Sequence, residues 1–151
     1  MDDIQYVYFD INHAIRLHDW IIEKSGGAFG IREQGLLESV LDNIQNDLYY
    51  PDFVDKICHL FFSVNKLHAF VDGNKRSSIA LSTYFLTVNG FEHCVGVFVS
   101  EMENIAVWVA ENAVSKELLR DIIHDLVLCL EIQEGTKLEL ALAVANFQNP
   151  I

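Results

Sequence analysis

His68, Asp72, Asn74, Lys75 and Arg76 stand within one short stretch, Leu67-His68-Ala69-Phe70-Val71-Asp72-Gly73-Asn74-Lys75-Arg76-Ser77-Ser78. A base, a carboxylate, an amide and two cations at this density are the parts that transfer of a phosphoryl or nucleotidyl group to a hydroxyl needs. A histidine imidazole, with an ordinary pKa near 6.5, can take a hydroxyl proton at neutral pH, which gives His68 the role of base. Asp72 offers a hard oxygen suited to Mg²⁺, an ion that takes one or two carboxylates and completes its shell with phosphate oxygens and water. Gly73 lets the backbone approach a phosphate closely, and the N–H groups of Asn74, Lys75 and Arg76 would open a helix whose dipole favours an anion. Lys75 and Arg76 add charge, Arg76 can grip phosphate oxygens at two points, and the Asn74 amide can donate. Phe70, between polar neighbours, suits an apolar anchor for the loop.

The elements that must hold this stretch are helical. Apolar residues at three- and four-residue spacing predict helices over Ile11–Lys24 and over about Glu33–Asp47. Pro51 suits the first position of a third helix, broadly apolar and therefore central, with His68 at its end. The next helix begins near Asp72 or Asn74 and stops at Asn89-Gly90. Between the first two helices, the glycine-rich Gly26–Ile31 predicts a short extended flap or an interhelical loop. Phe91–Val99, with Val95, Val97 and Val99 alternating, reads as an extended segment or a packed loop. The capping box Ser100-x-x-Glu103 opens a helix to about Asn112, Ser115 caps another through Leu130, and the box Thr136-x-x-Glu139 opens a last one after Gly135.

Composition sets the outer bounds. A chain of 151 residues suits one domain that buries roughly two-thirds of its unfolded surface, with a core over about residues 10–130 and an extra helix at about 136–148. A net charge of −12 repels phosphates at long range, so neither a nucleic acid nor an anionic membrane is an expected partner, and any phosphate must be held locally. Cys58, Cys94 and Cys129 are too scattered for a disulfide framework or a zinc site. The acidic start Met1-Asp2-Asp3 lacks the features of a secretory signal, and no apolar run approaches the roughly 20 residues that span a bilayer. A soluble, cytoplasmic protein is expected. Asp55 and His59, four apart, have no third ligand nearby and fit a paired surface better than a metal site.

Residues 68–76 match throughout the signature H-x-F-x-[DE]-[GA]-N-[GK]-R and so resemble the Fic/Doc superfamily. His18-Asp19, Gly26-Gly27 and Gly30-Ile31-Arg32-Glu33-Gln34-Gly35-Leu36-Leu37-Glu38 resemble the N-terminal pattern of its death-on-curing, or Doc, branch, so the likeness covers most of residues 10–92. Lys75, in place of the glycine usual in the Fic branch, and Ile79, in place of a second arginine, point the same way. The resemblance implies an all-α Fic/Doc-type helical bundle with a flap between its first two helices, Gly27-Ala28-Phe29-Gly30-Ile31, that aligns a target segment by backbone pairing.

It also implies ATP as substrate with Mg²⁺ and transfer of the γ-phosphate to a Ser or Thr hydroxyl of a cytosolic protein. Transfer of AMP, with Lys75 replacing the missing cation, and a non-catalytic phosphate- or partner-binding module are the alternatives. Relatives restrained from within carry [ST]-x-x-x-E-[GN]. Here Glu103, Glu111 and Glu134 are followed by Asn or Gly, but Val99, Val107 and Leu130 stand four positions before them. A separate antitoxin is therefore the expected restraint.

Overall fold

A computed structural model describes residues 4–149, which leaves the acidic start Met1-Asp2-Asp3 outside the described residues. The fold is all-α. Seven α-helices follow in order: α1 (Ile11–Ser25), α2 (Gln34–Asn43), α3 (Phe53–Lys66), α4 (Asn74–Val88), α5 (Val95–Ala110), α6 (Lys116–Cys129) and α7 (Glu134–Gln148). Among the described residues no strand forms, and no helix is long and apolar enough to cross a membrane.

Helix α3 is the central element, packed against α2, α4, α5 and α6. Its sequence explains that place, since Ile57, Leu60, Phe61 and Val64 form a stripe with at most 1% exposure, and Phe53, Val54 and Cys58 widen it. Opposite lie Leu81, Phe85 and Leu86 of α4, Phe98, Met102 and Ile105 of α5, and Leu119, Ile122, Ile123 and Leu126 of α6, in one continuous cluster. Helix α4 can approach α3 closely because it turns small residues, Ser77, Ser78 and Ser82, into the interior.

Helix boundaries are set by local bonds. Asp10 caps α1 by accepting from the His13 N–H at 2.9 Å, and Gly26 closes its end, donating to the Ile22 carbonyl. Ser115 caps α6, its hydroxyl accepting from the Leu118 N–H at 3.1 Å. Asn89, just past α4, clasps the backbone of Val7 from both sides, accepting from its N–H and donating to its carbonyl.

Five expectations from the sequence are corrected. Helix α2 stops at Asn43 and does not reach Asp47: the wholly buried Lys56 ammonium donates to the Ile44 carbonyl and to Asp47 Oδ1, both at 2.7 Å, and so takes the end of the helix. Pro51 lies ahead of α3, whose N-cap is Asp52 with its own N–H donated to the Asp55 carboxylate.

Phe91–Val99 is neither strand nor loop. A 3-10 turn, Glu92–Cys94, leads into α5 at Val95, because Phe98, Met102, Ile105, Ala106 and Val109 bury one helical face. This burial overrides the β preference of the valines. Ser100 consequently sits on the second turn of an existing helix and caps nothing. Helix α7 likewise begins at Glu134, before the Thr136 box, with Gln133 as N-cap and its N–H held by Asp125 Oδ2 at 3.1 Å.

Candidate active site

The signature loop spans the gap between the end of α3 and the start of α4. Leu67 ends α3, and His68 follows with φ +50, in the left-handed region that terminates helices. Histidine is among the few side chains enriched there. The turn throws the imidazole outward: His68 is exposed, and its ring makes no hydrogen bond to another described residue.

The next three residues are fastened from two sides. Arg32 and Glu33 donate their N–H groups to the Ala69 carbonyl at 2.7 and 2.9 Å, Val71 donates to the Gly30 carbonyl at 3.0 Å, and Ile31 pairs antiparallel with Phe70. The stretch after α1 thus leans on the signature loop through a single isolated bridge at Ile31. From the other side, the Asn74 side chain accepts from the Phe70 N–H at 3.1 Å and donates to the Phe70 carbonyl at 3.0 Å. Its amide is therefore already engaged within the loop, which leaves the Asn74 backbone N–H, and not the side chain, to face an anion. The Phe70 ring is buried to 1% exposure.

Gly73 turns the chain into α4 with φ +77. The first bond of the helix runs from the Ser77 N–H to the Gly73 carbonyl at 2.9 Å. The N–H groups of Asn74, Lys75 and Arg76 consequently have no intrahelical acceptor, and no side chain caps them. Three unspent donors and the positive end of the helix dipole meet at the floor of a cavity of about 390 Å³. His68, Val71, Asp72, Gly73, Asn74, Lys75 and Arg76 line it, together with Asn65 of α3 and Ala110 of α5.

Asp72 is held by two backbone donors. Ala28 donates to Oδ2 at 3.0 Å and Gly73 to Oδ1 at 2.8 Å, and these bonds hold its carboxyl below the usual carboxylate range. The group is thus an anion at neutral pH, with 47% of its side chain open to solvent. A half-open, firmly ionised carboxylate beside unspent N–H donors fits a Mg²⁺ ion shared with phosphate oxygens. No group of three or more metal-ligating side chains occurs among the described residues, so phosphate and water would have to complete the shell.

Arg76 reaches back across the loop. Its Nη1 donates to Ser25 Oγ at 2.5 Å and to the Gly26 carbonyl at 2.7 Å, while Nη2 lies 3.8 Å from Asp72 Oδ1. The guanidinium therefore joins the root of the glycine-rich segment to α4. Lys75 is exposed on the first turn, and Ile79, one turn on, is partly buried against the core.

His18 carries structure that its sequence position does not disclose. It lies on α1 with 1% exposure, its ring stacked face to face on Phe70 at 3.8 Å, and its Nε2 donates to the Asp72 carbonyl at 2.6 Å. The Asp55 and His59 side chains have partners of their own: Asp55 is bound by Arg120 at 2.5 Å, and His59 accepts from Lys116 at 3.0 Å.

A histidine, an ionised carboxylate and an uncapped helix N-terminus thus share one cavity of an all-α bundle, an arrangement whose chemistry can receive an anion. A family model described as the Fic/DOC family matches residues 8–86, just over half of the chain. Toxin Doc of Mycolicibacterium smegmatis is 35% identical over 89 residues, which cover 56% of this chain and 68% of that protein. Protein kinase doc of Escherichia phage P1 is 28% identical over 116 residues, covering 74% of this chain and 89% of that one. The chain belongs to the Fic/Doc family, on its Doc branch.

Proposed function

We propose that this protein is a Doc-like toxin that transfers the γ-phosphate of ATP to a Ser or Thr hydroxyl of a cytosolic protein. The observation that carries the reading is the uncapped N-terminus of α4, with the N–H groups of Asn74, Lys75 and Arg76 opening on the cavity that His68 and Asp72 share. These donors and the Lys75 and Arg76 side chains would hold the phosphates. Asp72 would hold Mg²⁺, which when bound neutralises phosphate charge.

His68, outward and unbonded, takes the proton of the attacking hydroxyl as that oxygen bonds to the γ-phosphorus; the bond from phosphorus to the bridging oxygen breaks and ADP leaves. The edge of Gly27–Ile31 away from residues 69–71 would receive the target segment by backbone pairing. Ile79, in the place of a second arginine, supports phosphate transfer over AMP transfer.

The names of the two relatives, a toxin and a protein kinase, agree with this reading. A separate antitoxin, expected where no internal inhibitory motif stands in the chain, would restrain the activity. Lysate proteins incubated with ATP labelled in the γ-phosphate should take up label with the wild-type protein, and His68→Ala should cut the rate by about 10²–10⁴-fold. Equal labelling by the His68→Ala protein would overturn the role of His68.

A further inference from the structure

The Asp72 carboxylate takes its orientation from the Asp72–Gly73 peptide, whose N–H bonds it within the loop and whose carbonyl is held from outside the loop. Gly73 has φ +77, a conformation that glycine leaves as easily as it enters, so the Asp72–Gly73 peptide needs an external hold. His18 supplies one. A carbonyl oxygen carries no proton, so the contact at 2.6 Å between His18 Nε2 and the Asp72 carbonyl requires Nε2 to be the donor.

In a trans peptide the C=O and N–H point in opposite directions. With the carbonyl drawn to His18, the Gly73 N–H is turned away from it, and that N–H is the group bonded to Asp72 Oδ1 at 2.8 Å. Oδ2 is then presented to the Ala28 N–H at 3.0 Å. The imidazole is itself immobilised. It is 1% exposed, it lies parallel to the Phe70 ring with an interplanar angle of 1°, and a Cβ placed on Gly73 would come within 3.4 Å of its Nε2. The Phe70 beneath it is fixed in turn by Asn74.

We propose that His18 is a positioning residue for Asp72: through the 72–73 peptide it sets the direction of the carboxylate, and with it the cation–phosphate site. The inference rests on the phosphotransfer reading above for its functional consequence, but its structural content stands apart from catalysis. Two substitutions separate the hydrogen bond from the packing. His18→Phe keeps a flat ring against Phe70 and deletes the donor, whereas His18→Gln keeps an N–H donor in the position of Nε2 and deletes the ring.

The test compares three readouts in the whole chain: hydrogen exchange of the Gly73 and Ala28 amides by NMR, the melting temperature, and the split between kcat and KM for ATP. Loss of one buried hydrogen bond corresponds to about tenfold. His18→Phe should therefore speed exchange of both amides by about tenfold and lower kcat by at least that factor, with KM for ATP less affected and the melting temperature little changed. His18→Gln should restore amide protection and most of kcat even where it melts earlier.

Unchanged amide protection in His18→Phe, or losses in both variants that simply follow their melting temperatures, would overturn the proposal and leave His18 a packing residue. A wild-type protein that transfers nothing would refute the phosphotransfer reading, and the amide comparison would still decide the role of His18.

Discussion

At the scale of single residues, the site depends on what is missing from Gly27 as much as on what is present at Asp72. Gly27 has φ +119, and a Cβ there would lie 2.5 Å from Asp72 Oδ2 and 3.0 Å from Arg76 Nη2. Gly26 also has a positive φ, +89, but a Cβ on it meets nothing within 4 Å. Both Gly→Ala changes carry backbone strain of about 1–2 kcal/mol, and only one of them also pushes the carboxylate and guanidinium aside. Gly27→Ala should lower phosphate transfer by at least about tenfold relative to Gly26→Ala, measured as initial rates at equal folded protein. Similar rates for the two would mean that the contact between Gly27 and Asp72 does not matter.

These residues differ in how readable they were. His68 to Arg76 form one sequence motif, so their types and spacing were plain. His18 acts on a main-chain carbonyl 54 positions away, and no residue pattern encodes which carbonyl a side chain will find. Asn74 was legible as an amide beside a phosphate site, whereas its two bonds to Phe70 follow from the curl of the loop.

At the scale of elements, the same contrast holds for helices. Those whose apolar spacing and caps agree, α1 and α6, lie close to where the sequence puts them. For α5 the sequence gives the helix from Ser100 onward but hides its first turn, because Val95, Val97 and Val99 mimic a strand while the burial of Phe98 that makes this turn helical is tertiary.

The seam between α3 and α6 yields a pH prediction. Burial first, and the neighbouring Lys116 second, lower the pKa of His59 from its ordinary 6.5 to about 4, so it is neutral in the fold and accepts from Lys116. The unfolded chain takes up the proton at higher pH than the folded one. Stability from this group is therefore complete above about pH 6.5 and drains away as pH falls toward 4.

Discounted for the partial exposure of the ring, the loss is on the order of 1 kcal/mol, or about 2–4 °C. His59→Phe, which retains the stack on Tyr50, should show a correspondingly shallower fall in melting temperature between pH 7 and pH 4.5. Parallel falls would show that His59 remains unlinked to the acid response.

At the scale of the molecule, a chain of net charge −12 would have to attract a phosphate by local means. Helix α4 contributes its dipole and three free N–H groups, and Arg76 and Lys75 stand at its first turn, so attraction is confined to the cavity while the field of the whole protein opposes it. On the proposed reading, the acidic chain as a whole would favour a nucleotide whose charge a divalent cation partly neutralises over a bare polyanion.

The flap is tied to the same charges, since Ala28 holds Asp72 and Gly26 holds Arg76. The cavity and the Gly26–Ala28 segment therefore share two side chains, Asp72 and Arg76. Helix α7 stands at the margin: it packs on α6 and buries no residue of its own, and it lies beyond the residues 8–86 that the family model matches.

The most direct test of the whole reading is the mass of the adduct on a lysate protein treated with this protein, ATP and Mg²⁺. The account predicts an added phosphate on a Ser or Thr, absent when His68→Ala replaces the wild type. An added nucleotide, or no His68-dependent adduct, would contradict it.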